Sequence, residues 1–211
     1  MARHRQSVET RTKVLHTAAR LFAQNGYRAT TLDMIATEVR ATQGAVYFHF
    51  SSKRELAREV IRLQREQLAE ISAPYFTERT DGIAKIIDLN VAMARGIGES
   101  AIVRAGLRLV SESGDELLPH RDLAQYAAWV DATRGLLASA EKRGELRPGL
   151  ELSATAETVT MLFRGALDAS NFMAVEPNFI TRLKRAWSVL LPGLVSDSHA
   201  AEMPELLERF R

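Results

Sequence analysis

The chain has 211 residues, 46% hydrophobic and 26% charged, with a formal net charge of +2 and no cysteine. That length buries roughly 70% of the unfolded surface, enough for one large domain or two small ones. Lack of cysteine excludes disulfides, thiolate zinc sites and a cysteine nucleophile, and fits a reducing cytoplasm. No apolar run reaches the roughly 18 residues of a membrane span. The opening Met1-Ala2-Arg3-His4-Arg5-Gln6 lacks the apolar core of a signal peptide. Charge is unevenly divided. The first 50 residues hold seven Arg or Lys against three Asp or Glu, a balance of +4, and the rest hold 21 against 23, a balance of −2. A basic N-terminal segment is the footprint expected of a phosphate-binding surface, with scattered solvated charge as the alternative.

Apolar residues recur at three- and four-residue spacing almost throughout, which predicts an all-α protein of about nine to ten helices. The first helix is predicted from about Ser7 to Gln24, burying Val14, Leu15, Ala18, Ala19, Leu21 and Phe22, with Asn25-Gly26 as its stop. Ahead of it, Arg3 and Arg5 read as a flexible arm that reaches a DNA backbone or minor groove, or as plain disorder. Thr30, with Asp33 three residues on, has the form of a capping box for a second helix through Val39. Arg40-Ala41-Thr42 then makes a tight turn into a short helix from Gln43. Two short helices so joined form the helix-turn-helix unit, whose second helix enters the major groove.

Gly44 stands inside that second helix, where glycine costs roughly 0.5–1 kcal/mol relative to alanine, so an outside body is expected to approach the backbone there. Ile35, Val39, Phe48 and Phe50 are expected to form the core of this unit. Thr42 caps the helix and offers a hydroxyl to phosphate, and Gln43 suits paired bonds to adenine N6 and N7. Tyr47, one turn on, is placed for a thymine methyl, a base edge or a phosphate, or else is a core aromatic. His49 and Lys53 lie near the start of a fourth helix, whose free N–H groups favour phosphate. Arg28 and Thr31, flanking the link between the first two helices, complete the candidate DNA contacts.

Ser52 with Glu55 caps the fourth helix, roughly 21 residues and about 30 Å long, ending before Pro74. The domain boundary is placed there, giving a DNA-binding domain over 1–51 and a second domain over 52–211 that shares this helix as a rod. Five more helices are predicted at 80–95 (ended by Gly96 and Gly98), 100–112 (closed by Glu112-Ser113-Gly114-Asp115), 121–143 (stopped by Gly144), 153–174, and from Pro177 to Leu191 before Pro192-Gly193. A polar link with room for one short helix follows Ser196.

Thr30-Thr31-Leu32, Ile35-Ala36, Gly44-Ala45-Val46-Tyr47-Phe48-His49-Phe50 and Ser52-Lys53-Arg54-Glu55-Leu56 resemble the DNA-binding segment of the tetracycline-repressor (TetR) family over residues 10–60. The resemblance implies a homodimeric, ligand-responsive transcription factor, usually a repressor, with a divergent helical C-terminal domain. Many relatives carry lysine where this chain has Gln43, so a weaker guanine preference is implied. Val103-Arg104-Ala105-Gly106-Leu107-Arg108-Leu109, Trp129 and Gly144-Glu145-Leu146-Arg147-Pro148 resemble the γ-butyrolactone-type autoregulator receptors of actinomycetes. That likeness implies a small amphipathic inducer of lactone, butenolide or furan type.

Such a molecule needs a mostly apolar site with a few convergent polar groups. Candidates at helical spacing are Gln64, Leu68, Asn90, Met93, Trp129, Thr133, Thr160, Phe163 and Arg164. Trp129 reads equally as core filling. Arg164 reads either as a two-pronged partner for a ligand carboxylate or carbonyl, or as an ion pair with Asp168 one turn on. The helices over 153–174 and Pro177–Leu191 show more apolar surface than internal packing needs. Leu162, Ala166, Phe179, Leu183 and Trp187 are therefore expected in a four-helix dimer interface.

The expected function is a ligand-responsive repressor that binds double-stranded operator DNA as a dimer in the cytoplasm. A constitutive or protein-regulated DNA-binding regulator is the alternative. A helical enzyme is disfavoured: the five histidines show no metal-ligand spacing, and no G-x-S-x-G elbow, P-loop or dinucleotide fingerprint occurs. No metal or cofactor is expected.

Overall fold

The computed structural model describes residues 2–77, 82–118, 123–172 and 178–211, apart from some side chains at helix ends. The helix ends expected at 80–81, 121–122 and 173–174, Pro177, and the side chains of Arg3 and Arg5 lie outside the described residues. Among the described residues the chain forms eleven α-helices and one 3-10 turn: α1 (Ala2–Ala29), α2 (Leu32–Val39), α3 (Gln43–His49), α4 (Lys53–Ser72), α5 (Pro74–Thr77), α6 (Ile83–Glu99), α7 (Ala101–Leu117), α8 (Leu123–Lys142), α9 (Leu152–Phe172), α10 (Phe179–Leu194), a 3-10 turn (Asp197–Glu202) and α11 (Met203–Glu208). Extended pairing in the described residues is limited to one bridge, Leu146 with Val195. No described helix is long and apolar enough to cross a membrane.

Two compact units emerge, Met1–Ile71 with Gly96–Arg121, and Ser72–Arg95 with Asp122–Arg211. The expected boundary at Ser51 falls inside the first unit. The reason is a shared core: Val14, Ala18, Phe22, Ile35, Val46 and Phe50 are buried together with Leu56, Val60 and Ile61 of α4 and Ile102, Ala105 and Leu109 of α7.

In the first unit, α1 starts at Ala2, so the backbone of Arg3 and Arg5 is helical where an arm was expected. Gly26 interrupts α1 with φ +79° and ψ 175°, a conformation open essentially to glycine alone. The cap of α2 is Thr31, not Thr30: Thr31 Oγ1 accepts from the Met34 N–H at 3.2 Å. Thr30 is fully buried, and its hydroxyl lies 2.8 Å from the Gly26 carbonyl and 3.3 Å from that of Leu21, both acceptors. Arg40 takes the left-handed conformation at the end of α2, with φ 57° and ψ 42°. Ser52 Oγ accepts from the Glu55 N–H, and the Glu55 carboxylate accepts from the Ser51 N–H and hydroxyl at 2.7 and 2.6 Å, so the expected box at the start of α4 forms one residue wider.

Three expected stops are overridden by burial. α6 runs through Gly96 and Gly98 because Ile97 is buried, and Gly96 admits the Ile71 side chain where a Cβ would collide with it. α7 passes the polar 112–115 stretch, with only Ser113 non-helical, to reach the buried Leu117. α10 continues through Pro192 to the buried Leu194.

In the second unit, α10 turns Leu183, Trp187, Leu191 and Leu194 inward, and all four are buried. This corrects the expected dimer face: Leu183 and Trp187 are core. Spacing of about four residues keeps them on one stripe, and packing within the unit covers that stripe. Leu162, Ala166 and Phe179 are half-buried. Met161 on α9 and Val189 on α10 are 54% and 81% exposed and mark the outward side of the two helices. The N-cap of α10 is Asn178, whose side chain accepts from the Thr181 N–H at 2.9 Å.

Candidate functional site

Thr42 caps α3 as its sequence position implies, with Oγ1 accepting from the Ala45 N–H at 3.2 Å. Val46, fully buried, and Phe50, just past the helix end, hold α3 to the core. Much of the rest of the helix faces out: Gln43 and Gly44 are exposed, Tyr47 is 50% exposed and Phe48 is 80% exposed. Phe48 is thus not core, correcting the expectation. At 100° per residue it lies about 200° around the helix from Val46, and a seven-residue helix has one inner stripe. A Cβ at Gly44 would meet nothing within 4 Å, so no packing among the described residues calls for that glycine. Ile35 is buried and Val39 half-buried against the core, as expected.

The other candidate DNA contacts divide by what already engages them. Arg28 is exposed at the end of α1. Thr31 and Thr42 use their oxygens as caps and retain an O–H to donate. His49 is half-buried, its ring edge-on to Phe48 at 5.2 Å. Lys53 is turned inward: Nζ donates to the carbonyls of Tyr27 and Thr30 at 2.9 and 3.0 Å and lies 4.4 Å from the Tyr27 ring centre. Its ammonium therefore ties the tail of α1 to the start of α4.

The reader is braced by charge. Arg11 lies over the Phe50 ring at 4.9 Å and reaches the Glu59 carboxylate at 2.9 Å. Arg62 binds the other Glu59 oxygen at 2.8 Å. These guanidinium bonds, Arg62 first, hold the Glu59 carboxyl down at about 2 against an ordinary 4.5. From α7, Arg108 donates to the Ala23 carbonyl at 2.9 Å and pairs with Glu112 at 2.5 Å, and Glu112 fills the space where a Cβ on Gly26 would stand.

The ligand candidates lie partly in each unit. In the first, Gln64 is 1% exposed and neither Nε2 nor Oε1 has a hydrogen-bond partner. A Cβ on Gly106 of α7 would run into the carbons of this side chain, so Gly106 makes room for Gln64. Leu68, one turn on, is buried.

In the second unit, Asn90, Met93 and Thr133 are buried. Asn90 Nδ2 donates to the Ile86 carbonyl at 2.8 Å while Oδ1 has no partner. Thr160 is half-buried and donates to the Ala156 carbonyl at 2.8 Å. Trp129 is half-buried. Phe163 meets Phe179 edge-on at 5.2 Å, which joins a residue expected at the ligand to one expected at the dimer face. Arg164 takes the second of its two readings: Nε lies 3.1 Å from Asp168, with both side chains over 40% exposed. Sequence patterning gave no sign that the buried Trp187 Nε1 would lack an acceptor.

Comparison with known proteins places this arrangement. The family model "Bacterial regulatory proteins, tetR family" matches residues 14–60, the span from the middle of α1 into α4. The chain is 25% identical over 194 residues to the A-factor receptor protein of Streptomyces griseus, an alignment covering 92% of this chain and 67% of that protein. The structure is similar to that of CprB of Streptomyces coelicolor in complex with its operator sequence, at 25% identity and a TM-score of 0.77, covering 97% of each chain. It is also similar to full-length TylP, a TetR regulator of Streptomyces fradiae, at 30% identity and a TM-score of 0.63, covering 96% of this chain and 91% of that one. The family is one of DNA-binding transcriptional regulators and not of enzymes. In this chain α3 is anchored by Val46 and presents Gln43, Gly44 and Tyr47, and with those matches the chain belongs to the tetR family of bacterial regulatory proteins.

Proposed function

We propose that the chain is a ligand-responsive transcriptional repressor of the bacterial cytoplasm and nucleoid. Its dimer binds a pseudo-palindromic operator and is released by a small amphipathic molecule of γ-butyrolactone, butenolide or furan type. On the DNA side, α3 displays Gln43 for an adenine edge and Tyr47 for a methyl, base edge or phosphate. Thr31, Thr42 and Arg28 serve the DNA backbone, and Arg3 and Arg5 the backbone or minor groove. Lys53 and His49 contribute through the start of α4, and Lys53 does so with one N–H beyond its two internal bonds. The outward Met161 and Val189 support a pairing of α9 and α10 with their two-fold mates. Two readers then meet major grooves about 34–36 Å apart or a multiple of that.

The observation that carries the ligand half is Gln64. An amide buried without partners costs about 1–3 kcal/mol per unsatisfied group, and a ligand offering a carbonyl beside a hydroxyl satisfies donor and acceptor together. Gln64 lies in the unit that holds α3, so ligand binding acts on the unit that reads DNA. Release needs only a different affinity for the two states, and a coupling of about 1–3 kcal/mol changes operator affinity 5–150-fold.

The test is selection of bound duplexes from a random pool, followed by gel shifts with synthetic γ-butyrolactones, butenolides and an organic culture extract. A selected sequence bound with a log–log salt slope on the order of −5 to −9 supports the reader. Failure to select, or a slope near zero, sinks it. A compound that releases wild-type protein but not Gln64→Leu supports the ligand half. If no compound raises the melting temperature or releases DNA, the constitutive or protein-regulated alternative replaces it.

A further inference from the structure

Phe48, at 80%, is the most exposed aromatic side chain among the described residues. It stands on α3 one turn after Gly44, and positions four apart share a helix face. Gly44 puts no side chain on that face and faces open space. Anchoring of the helix is complete without Phe48, through Val46 and Phe50. Among the described residues its ring meets one other aromatic, His49, edge-on. A phenyl group has no hydrogen-bonding atom, so it neither binds phosphate nor reads a donor–acceptor pattern. What an apolar side chain reads in the major groove is the 5-methyl of thymine. A protein partner fits less well, because one phenyl ring offers about 200 Å², against the roughly 1,000 Å² of a stable interface. The surrounding first 50 residues also carry a balance of +4.

We infer that Phe48 is a specificity-determining residue that reads a thymine methyl in each operator half-site, with Gly44 clearing its approach. The inference rests on the operator-binding reading above and adds a base identity to it.

The experiment uses the full-length protein and the duplex it selects from a random pool, with each thymine replaced in turn by deoxyuridine, which removes only the methyl. At one symmetry-related pair of positions, wild type should lose about 4-fold per methyl and about 15-fold when both half-sites are changed. Phe48→Ala should bind the thymine duplex about 15-fold more weakly, bind the deoxyuridine duplex equally well, and no longer select thymine at that position. Its melting temperature should match wild type, since the ring is out of the core. The inference is overturned if both proteins respond alike to deoxyuridine at every position. It is equally overturned if Phe48→Ala keeps full affinity, or if it melts lower and so proves to be packed. Selection of no sequence by wild type defeats the operator reading instead, and with it this one.

Discussion

The recognition helix α3 in the first unit and α10 in the second make an instructive pair. On α3, Phe48 has the composition of core and stands at the surface; on α10, Leu183 and Trp187 have the composition of an interface and are fully buried. Both inversions have one cause. Helical spacing shows that a stripe is apolar but not which of several apolar stripes the rest of the chain covers. α3 has seven residues and one inner stripe, taken by Val46, so its remaining aromatics are left for something else. α10 has sixteen residues, enough for the buried stripe 183–187–191–194 and for further apolar residues beside it. Val189 belongs to that surplus, and the outward face begins there.

The largest effect that separates the two helices is on stability. Trp187→Ala should remove about 3–5 kcal/mol, read as a lower denaturant midpoint in guanidinium unfolding. Val189→Asp with Met161→Asp should keep the helical circular dichroism of wild type while light scattering after gel filtration falls to the monomer mass. A stable Trp187→Ala protein that runs as a monomer would show that α10 faces the other way.

Next in size is recognition. Tyr47→Ala and Gln43→Ala should each weaken binding to the selected duplex by about 1–3 kcal/mol, 5–150-fold, with melting temperature unchanged. These side chains are exposed, so a loss of affinity that came with a loss of stability would place them in the core, contrary to α3 as described.

The reader was legible in the sequence because its constraints are local. The Thr42 cap, the Gly44 gap, the Arg40 turn and the Ser52–Glu55 start each depend on residues a few positions apart. What stayed hidden depends on distant partners. Gly96 reads as a stop until Ile71 is seen to need its space, and Gly106 carries no message until Gln64 lies over it. Gln64 itself was chosen by spacing, but its unpartnered amide is a property of the fold. Arg164 was open to a ligand or to Asp168, and Asp168 stands one turn away within reach. Lys53 was read toward phosphate, and two of its three N–H groups go to carbonyls at the tail of α1.

A smaller effect concerns the bracing behind α3. The Glu59 carboxyl is depressed to about 2, chiefly by Arg62 and then Arg11. A depressed acid stabilises the fold above its unfolded value of 4.5, and that contribution is lost as pH falls from there through about 2. The full shift corresponds to about 3 kcal/mol, and screening at the exposed Arg62 and Arg11 leaves about 1–2 kcal/mol. Urea unfolding of wild type and Glu59→Gln should therefore differ most above about pH 5 and converge toward pH 2. A gap that stayed constant through that range would mean the ion pairs contribute nothing.

The smallest effect separates two adjacent threonines that sequence spacing confuses. Thr31 is exposed and binds one N–H, as a cap does; Thr30 is fully buried with its hydroxyl on the carbonyls where α1 breaks at Gly26. Thr31→Ala should cost about 1 kcal/mol, and Thr31→Asn close to nothing, because asparagine caps as well as threonine. Asparagine at 30 has no such excuse: it must fit a larger amide into a closed site, so Thr30→Asn has to be the more harmful of the two asparagine variants. Were the order reversed in thermal melts, the cap would belong to Thr30, and α2, with the turn that aims α3, would begin one residue earlier.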